Sequence, residues 1–177
     1  MSNKILGIDP GIGICGFGLI QADIGRAAKA LDYGVVKTTV DAPLPSRLKE
    51  LYESLSEVFD QTNPDMVAVE KLFFSKNITT GIAVAEARGI VLLVAEQRGL
   101  PVYEYTPNQI KKSLTGYGSA TKSQIQEMAR IHLGLEQKPK PDDAADALAV
   151  AITCSFLYQL GPDEKYQFSN TRKKVVK

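Results

Sequence analysis

Residues 4–20 read Lys4-Ile-Leu-Gly-Ile-Asp9-Pro-Gly-Ile-Gly-Ile14-Cys-Gly-Phe-Gly-Leu-Ile20, and this stretch sets the architecture. The apolar run Ile5 to Ile8 stops at a carboxylate, Asp9. A Pro-Gly turn follows, and a second apolar run occupies 14–20. Two short apolar runs joined by a glycine-containing turn predict a β-hairpin. A further run at 30–38 extends it to a three-stranded meander. Asp before Pro-Gly is often only a turn former, so Asp9 by itself decides nothing. Gly7 and Gly11 would let a phosphate or sugar backbone approach the turn closely.

Outward from the hairpin, Pro43 and Pro45 punctuate the chain. Ser46 is the expected N-cap of an amphipathic helix carrying Leu48, Leu51, Leu55 and Phe59 at helical spacing. Asn63-Pro64-Asp65 ends it, and a buried-looking strand follows at 66–70. A long helix is expected over 78–98, then a short strand from Pro101 to Tyr105. Thr106 caps a helix with Pro107 at its first position. Thr121-Lys-Ser-Gln124 is a capping-box pattern that opens a helix over 122–133. The last helix covers about 142–157. The order β-β-β-α-β-α-β-α-α-α predicts an α/β fold: a mixed five-stranded central sheet flanked by helices on both faces. One domain over 1–160 is expected, followed by a polar, basic tail at 161–177 that is expected to be partly disordered.

With 177 residues the chain is large enough to bury a core, and its hydrophobic and charged fractions, 44% and 23%, suit a globule. No run approaches the roughly 18 apolar residues of a membrane helix. The opening Met-Ser-Asn-Lys leads straight into a strand, and Cys15 and Cys154 are isolated, so a reduced, cytoplasmic protein is expected. A single histidine, His132, excludes zinc held by several histidines and leaves a Ser-His-Asp triad without a nucleophile elbow. The net charge of +1 counts mildly against nucleic-acid binding. Its distribution counts the other way. Lys111, Lys112, Lys122, Lys138 and Lys140 share one third of the chain, and Arg172, Lys173, Lys174 and Lys177 crowd the tail.

The chemistry rests on four acids. Glu70 closes the apolar run Met66-Val-Ala-Val69 as Asp9 closes the first strand. Asp143 and Asp146 open the last helix, three apart and therefore on one face, with small alanines between them. Asp142 is expected to play the ordinary capping part, which would not account for Asp146 nearly a turn further in. Carboxylates at strand ends and at a helix start can converge in an open α/β sheet. They repel one another unless a cation joins them, and hard Mg²⁺ suits carboxylate oxygens. Two such ions about 4 Å apart are the usual apparatus for in-line phosphodiester cleavage. A metal-dependent nuclease is therefore expected.

Two further features bear on partners. Phe73 and Phe74 lie beside Lys71 and Lys76 in an expected loop, where an exposed Phe could stack on an unpaired base. Phe73 is expected to face DNA and Phe74 to be partly packed. Gly81, Ala85 and Gly89 form a small-residue stripe on the long helix, which either packs on the protein's own sheet or forms a helix–helix dimer contact.

Gly7-Ile-Asp9-Pro-Gly11, Val69-Glu70-Lys-Leu-Phe73, Glu86-Ala-Arg88-Gly89, Tyr105-Thr-Pro-Asn-Gln-Ile-Lys111, Thr121-Lys122-Ser-Gln and Asp143-Ala-Ala-Asp146-Ala-Leu-Ala together resemble the RuvC family of Holliday-junction resolvases. The resemblance runs in order from about residue 4 to 157. It implies an RNase H-like fold, a homodimer and paired, symmetric nicking of four-way junction DNA. It implies Asp9, Glu70, Asp143 and Asp146 as metal-binding catalytic acids, with two Mg²⁺ per site and Mn²⁺ as a substitute. Phe73 matches the position that contacts unpaired bases; Lys111 and Lys122 match basic positions near the scissile phosphate. A branch-migration helicase complex is the implied partner. The readings left standing beside it are an RNase H-like nuclease for RNA–DNA hybrids, a nucleotide-binding module of the actin type, and a catalytically inactive junction binder.

Overall fold

The computed structural model describes residues 2–72 and 78–159. The strands are β1 (Ser2–Asp9), β2 (Ile14–Asp23), β3 (Lys29–Lys37), β4 (Met66–Glu70) and β5 (Val102–Tyr105). They form one sheet in the order β3-β2-β1-β4-β5. The meander β1-β2-β3 is antiparallel, while β4 joins β1 and β5 joins β4 in parallel. The five helices are α1 (Leu44–Thr62), α2 (Ile78–Gln97), α3 (Pro107–Thr115), α4 (Lys122–Leu133) and α5 (Asp142–Gln159). The mixed five-stranded sheet between helical layers is the expected one.

Two cores sit on opposite faces. Leu6, Ile8, Val67 and Val69 pack with Leu51, Leu55 and Phe59 of α1 and Val91 and Val94 of α2. Ile5, Met66 and Ala68 pack with Ile110, Ile125, Ala129 and Leu148 of α3, α4 and α5. Successive side chains alternate across a strand. Asp9 therefore shares the α5 face with Ile5 and Gly7, and Glu70 shares it with Met66 and Ala68. Ile8 pairs with Val69, so both acids leave neighbouring parallel strands at the same rim and on the same face.

Helix α5 is apolar all round because it is enclosed: Ala144, Ala145, Ala147, Leu148, Ala151 and Ile152 are fully buried. It lies against β1 and β2 at backbone distance. A Cβ at Gly7 would strike the Ala147 carbonyl, and one at Gly16 would strike the Asp143 carbonyl. The missing side chain at Gly7 thus admits the protein's own helix, not a phosphate.

Other local expectations also shift. Helix α1 begins two residues before Ser46, with Pro43 as the cap residue and no side-chain cap. Proline fits a first helical turn because its missing N–H needs no partner there. Ser46 N–H donates to the Pro43 carbonyl at 2.9 Å instead of capping. Asp142 is the first residue of α5, and the Pro141 carbonyl accepts from Ala144 and Ala145. On α2 the buried side is Ala87, Val91, Val94 and Ala95. Gly89 faces open space, with nothing within 4 Å of an added Cβ, so at this residue the stripe does not pack on the sheet. Among the described residues no helix is long and apolar enough to cross a membrane.

Candidate active site

Three elements carry the four acids to one rim. β1 and β4 end in Asp9 and Glu70, and α5, pressed onto Gly7 and Gly16, brings in Asp143 and Asp146 from above. Their proximity is visible in their mutual electrostatics. Burial pushes the Asp9 carboxyl up to about 7, with Asp146, Glu70 and Asp143 adding repulsion and Lys122 partly offsetting it. Burial also raises Glu70, as does Asp146, against the opposing effect of Lys111. Asp146 is likewise raised, chiefly by burial, even though Lys122 acts to lower it.

Two cations face these acids from capped helix starts. Thr106 and Gln109 form a reciprocal capping box at α3, which carries Lys111. Thr121 and Gln124 form another at α4, whose first residue is Lys122. Both caps are as read from the sequence. Lys122 Nζ lies 2.8 Å from Asp146 Oδ2 and 3.7 Å from Asp142 Oδ2. Asp142 therefore belongs to the surroundings of the same ammonium. A cleft of about 220 Å³ opens here, with Glu70, Asp146, Lys111 and Lys122 as its charged lining and Ile110 and Ile125 among its apolar walls. Phe73, Phe74 and Lys76 lie outside the described residues, as does the 161–177 tail.

The donor set is all carboxylate, which suits a hard divalent cation. Among the described residues no three His, Cys, Asp or Glu side chains close on a single point. Carboxylate donors alone suit a cation that keeps several waters and binds through one or two carboxylates plus substrate phosphates. They do not fit a closed structural site of the zinc kind.

One consequence is measurable without substrate. Asp9 has a folded-state value of about 7 against an ordinary value of 3.8. Between the two, the folded protein holds a proton that the unfolded chain releases, so raising the pH lowers stability across that window. The loss is complete above about pH 7 and amounts to at most about 4 kcal/mol. Wild type is expected to lose stability relative to Asp9→Asn between pH 5 and 8 in EDTA, and to regain it at pH 8 with MgCl₂. Parallel melting curves of the two proteins at both pH values would refute this.

A buried ion pair escaped the sequence reading. Arg88 of α2 bonds Glu104 of β5, with both side chains mostly buried, and the Arg88 Nε has no hydrogen-bond partner among the described residues. The available signal was a glutamate inside Val102-Tyr-Glu-Tyr105 and an arginine in an apolar helix; neither indicated the other.

A mixed sheet of order β3-β2-β1-β4-β5, with acids at adjacent strand ends under an acidic helix start, defines an RNase H-like α/β protein of the nuclease type. A family model described as "Crossover junction endodeoxyribonuclease RuvC" matches residues 5–154. Proteins of that name from Brevibacillus brevis and Pseudothermotoga lettingae are 51% and 52% identical to this chain. They cover 85% and 83% of it and 90% of their own lengths. The Thermus thermophilus RuvC solved in complex with a Holliday junction substrate superposes with a TM-score of 0.85 at 38% identity, over 90% of this chain and 96% of that one. The yeast mitochondrial Holliday junction resolvase shares the fold, with a TM-score of 0.61 at 19% identity over 88% of this chain and 81% of that one. The chain belongs to the RuvC family of crossover junction endodeoxyribonucleases.

Proposed function

We propose that this protein resolves four-way DNA junctions in recombination and repair, nicking two strands symmetrically with Mg²⁺, or Mn²⁺ in its place. The reading is supported by Asp9 and Glu70 ending two neighbouring parallel strands at one rim, and by the helix that carries Asp143 and Asp146 lying at backbone distance on the first of them. These four carboxylates hold the metal. When bound, two divalent ions supply Lewis-acid stabilisation of the attacking and leaving oxygens of an in-line displacement. Lys122, whose Nζ lies 2.8 Å from Asp146 Oδ2, would stabilise developing charge on the phosphate beside these carboxylates. Lys111, on the Glu70 side of the cleft, steadies the same strand of DNA. Phe73 meets the unpaired bases at the crossover.

Symmetric cutting of a two-fold junction calls for two equivalent sites, and a homodimer supplies them. The outward face of α2 supports it as the contact: Ile82 and Leu93 are about half exposed, and Gly89 lies between them with open space. Gly89→Leu is expected to leave the protomer folded, because nothing occupies that space, and to raise the dimer dissociation constant at least tenfold. Sedimentation of a folded, fully dimeric variant would remove α2 from the interface.

The direct test is cleavage of a synthetic junction, a linear duplex and an RNA–DNA hybrid, each with MgCl₂ and with EDTA. Paired metal-dependent nicks on the junction alone are expected. Preferential cutting of the hybrid would keep the metal site and overturn the substrate.

A further inference from the structure

Arg47 is an oriented cation that the site described above does not use. Its Nε donates to Thr38 Oγ1 at 3.0 Å. Thr38 is itself buried, and its hydroxyl donates to the Ile12 carbonyl at 2.5 Å, while its N–H donates to the Gly13 carbonyl at 3.2 Å. The guanidinium is thus fixed over the turn that links Asp9 to β2. Its Nη2 stands above Gly13, where an added Cβ would come within 3.2 Å of it.

A guanidinium held this way ordinarily faces a carboxylate. Arg88, Arg98 and Arg130 do, pairing with Glu104, Asp60 and Glu127. Arg47 has no ion pair among the described residues, and the first turn of α1 contains no acid. Glu50, the nearest acid along the helix, accepts instead from the Thr39 N–H at 2.8 Å. With Nε satisfied, the terminal amines form a free planar fork, the geometry that binds a phosphate in bidentate fashion. The fork lies at the rim where β1 ends and beside the turn after Asp9, on the sheet face opposite Lys111 and Lys122.

We propose that Arg47 clamps a backbone phosphate of the junction, on the far side of the Asp9 turn from the two lysines. The scissile strand is then gripped from both faces of the sheet rim. The inference rests on the junction-binding reading above. The contact is to phosphate, so it adds affinity without sequence preference.

The test is junction binding by the full chain in EDTA, titrated from low to high salt. Wild type, Arg47→Ala and Arg47→Lys are compared, with melting curves as a check on folding. Each phosphate contact contributes roughly 0.9 to the slope of log K against log salt. Arg47→Ala is expected to reduce the slope by about 1 for each protomer engaged and to weaken binding about three- to tenfold near 0.1 M salt. Arg47→Lys keeps the charge and is expected to keep the slope, although it loses the Thr38 bond. A lowered melting temperature with an unchanged slope in Arg47→Ala would make Arg47 a structural tie and overturn the proposal. So would a slope that falls equally in the Lys variant, because the charge would then be irrelevant. Wild type failing to bind any junction would overturn the functional reading itself.

Discussion

Asp146→Asn is expected to lower metal-dependent junction cleavage by well over 100-fold while junction affinity stays within about threefold of wild type. Changes to residues that merely support a metal ligand typically cost about 10–100-fold. Asp146 stands closer to the chemistry than that: its charge acts on both Asp9 and Glu70, and its Oδ2 holds Lys122. Asparagine keeps the volume and removes the charge, so α5 has no reason to move. The half-buried carboxylate was itself raised by burial, so its neutral replacement should melt at or above the wild-type temperature. Asp142→Asn is the matched comparison. Asp142 shares Lys122 at 3.7 Å but is largely exposed, and its loss should change cleavage by less than about fivefold. Cleavage by Asp146→Asn within tenfold of wild type would remove this residue from the site. Joint loss of cleavage, binding and thermal stability would assign it a structural part.

What could be read from the chain followed how local each signal is. The strand-end acids were legible because an apolar run that stops at a carboxylate places that carboxylate at a rim, and period-two alternation then chooses the face. The caps at Thr106 and Thr121 were legible because each is complete within four residues. The start of α1 lies three residues before the position that Ser46 suggests, because a proline pair can itself enter a first turn. Long-range partnerships left little local trace. Nothing in 86–89 indicates that Arg88 will find Glu104, and nothing at Arg47 indicates that Thr38 will hold it. Gly7 follows the same rule: it lies beside a turn, where a glycine suggests an opening for ligand, whereas its contact is 140 residues away at Ala147. The stripe through Gly89 is compatible with either packing on the sheet or a dimer contact, and Gly89 faces outward.

Those glycines carry the second large effect. Gly7→Ala and Gly16→Ala are each expected to destabilise the protein by about 3 kcal/mol or more, the upper range for overpacking a core. For a chain of this length that corresponds to a fall in melting temperature of roughly 6–12 °C. The added methyl would meet a backbone carbonyl, of Ala147 in one case and Asp143 in the other, and no side chain can rotate away to accommodate it. Helix α5 must lift, and it carries Asp143 and Asp146 away from Asp9 and Glu70. A displacement of about 1 Å in a reacting site can cost on the order of 10²-fold. Both variants should therefore lose cleavage at temperatures where they remain folded. Gly16→Ala should lose more per degree of destabilisation, because its clash falls on Asp143 itself. Gly89→Ala supplies the opposite sign: a helical glycine with open space around it should gain up to about 1 kcal/mol. If Gly7→Ala melted within 2 °C of wild type, α5 could not lie at backbone distance on β1. The convergence of the four acids would then need another cause.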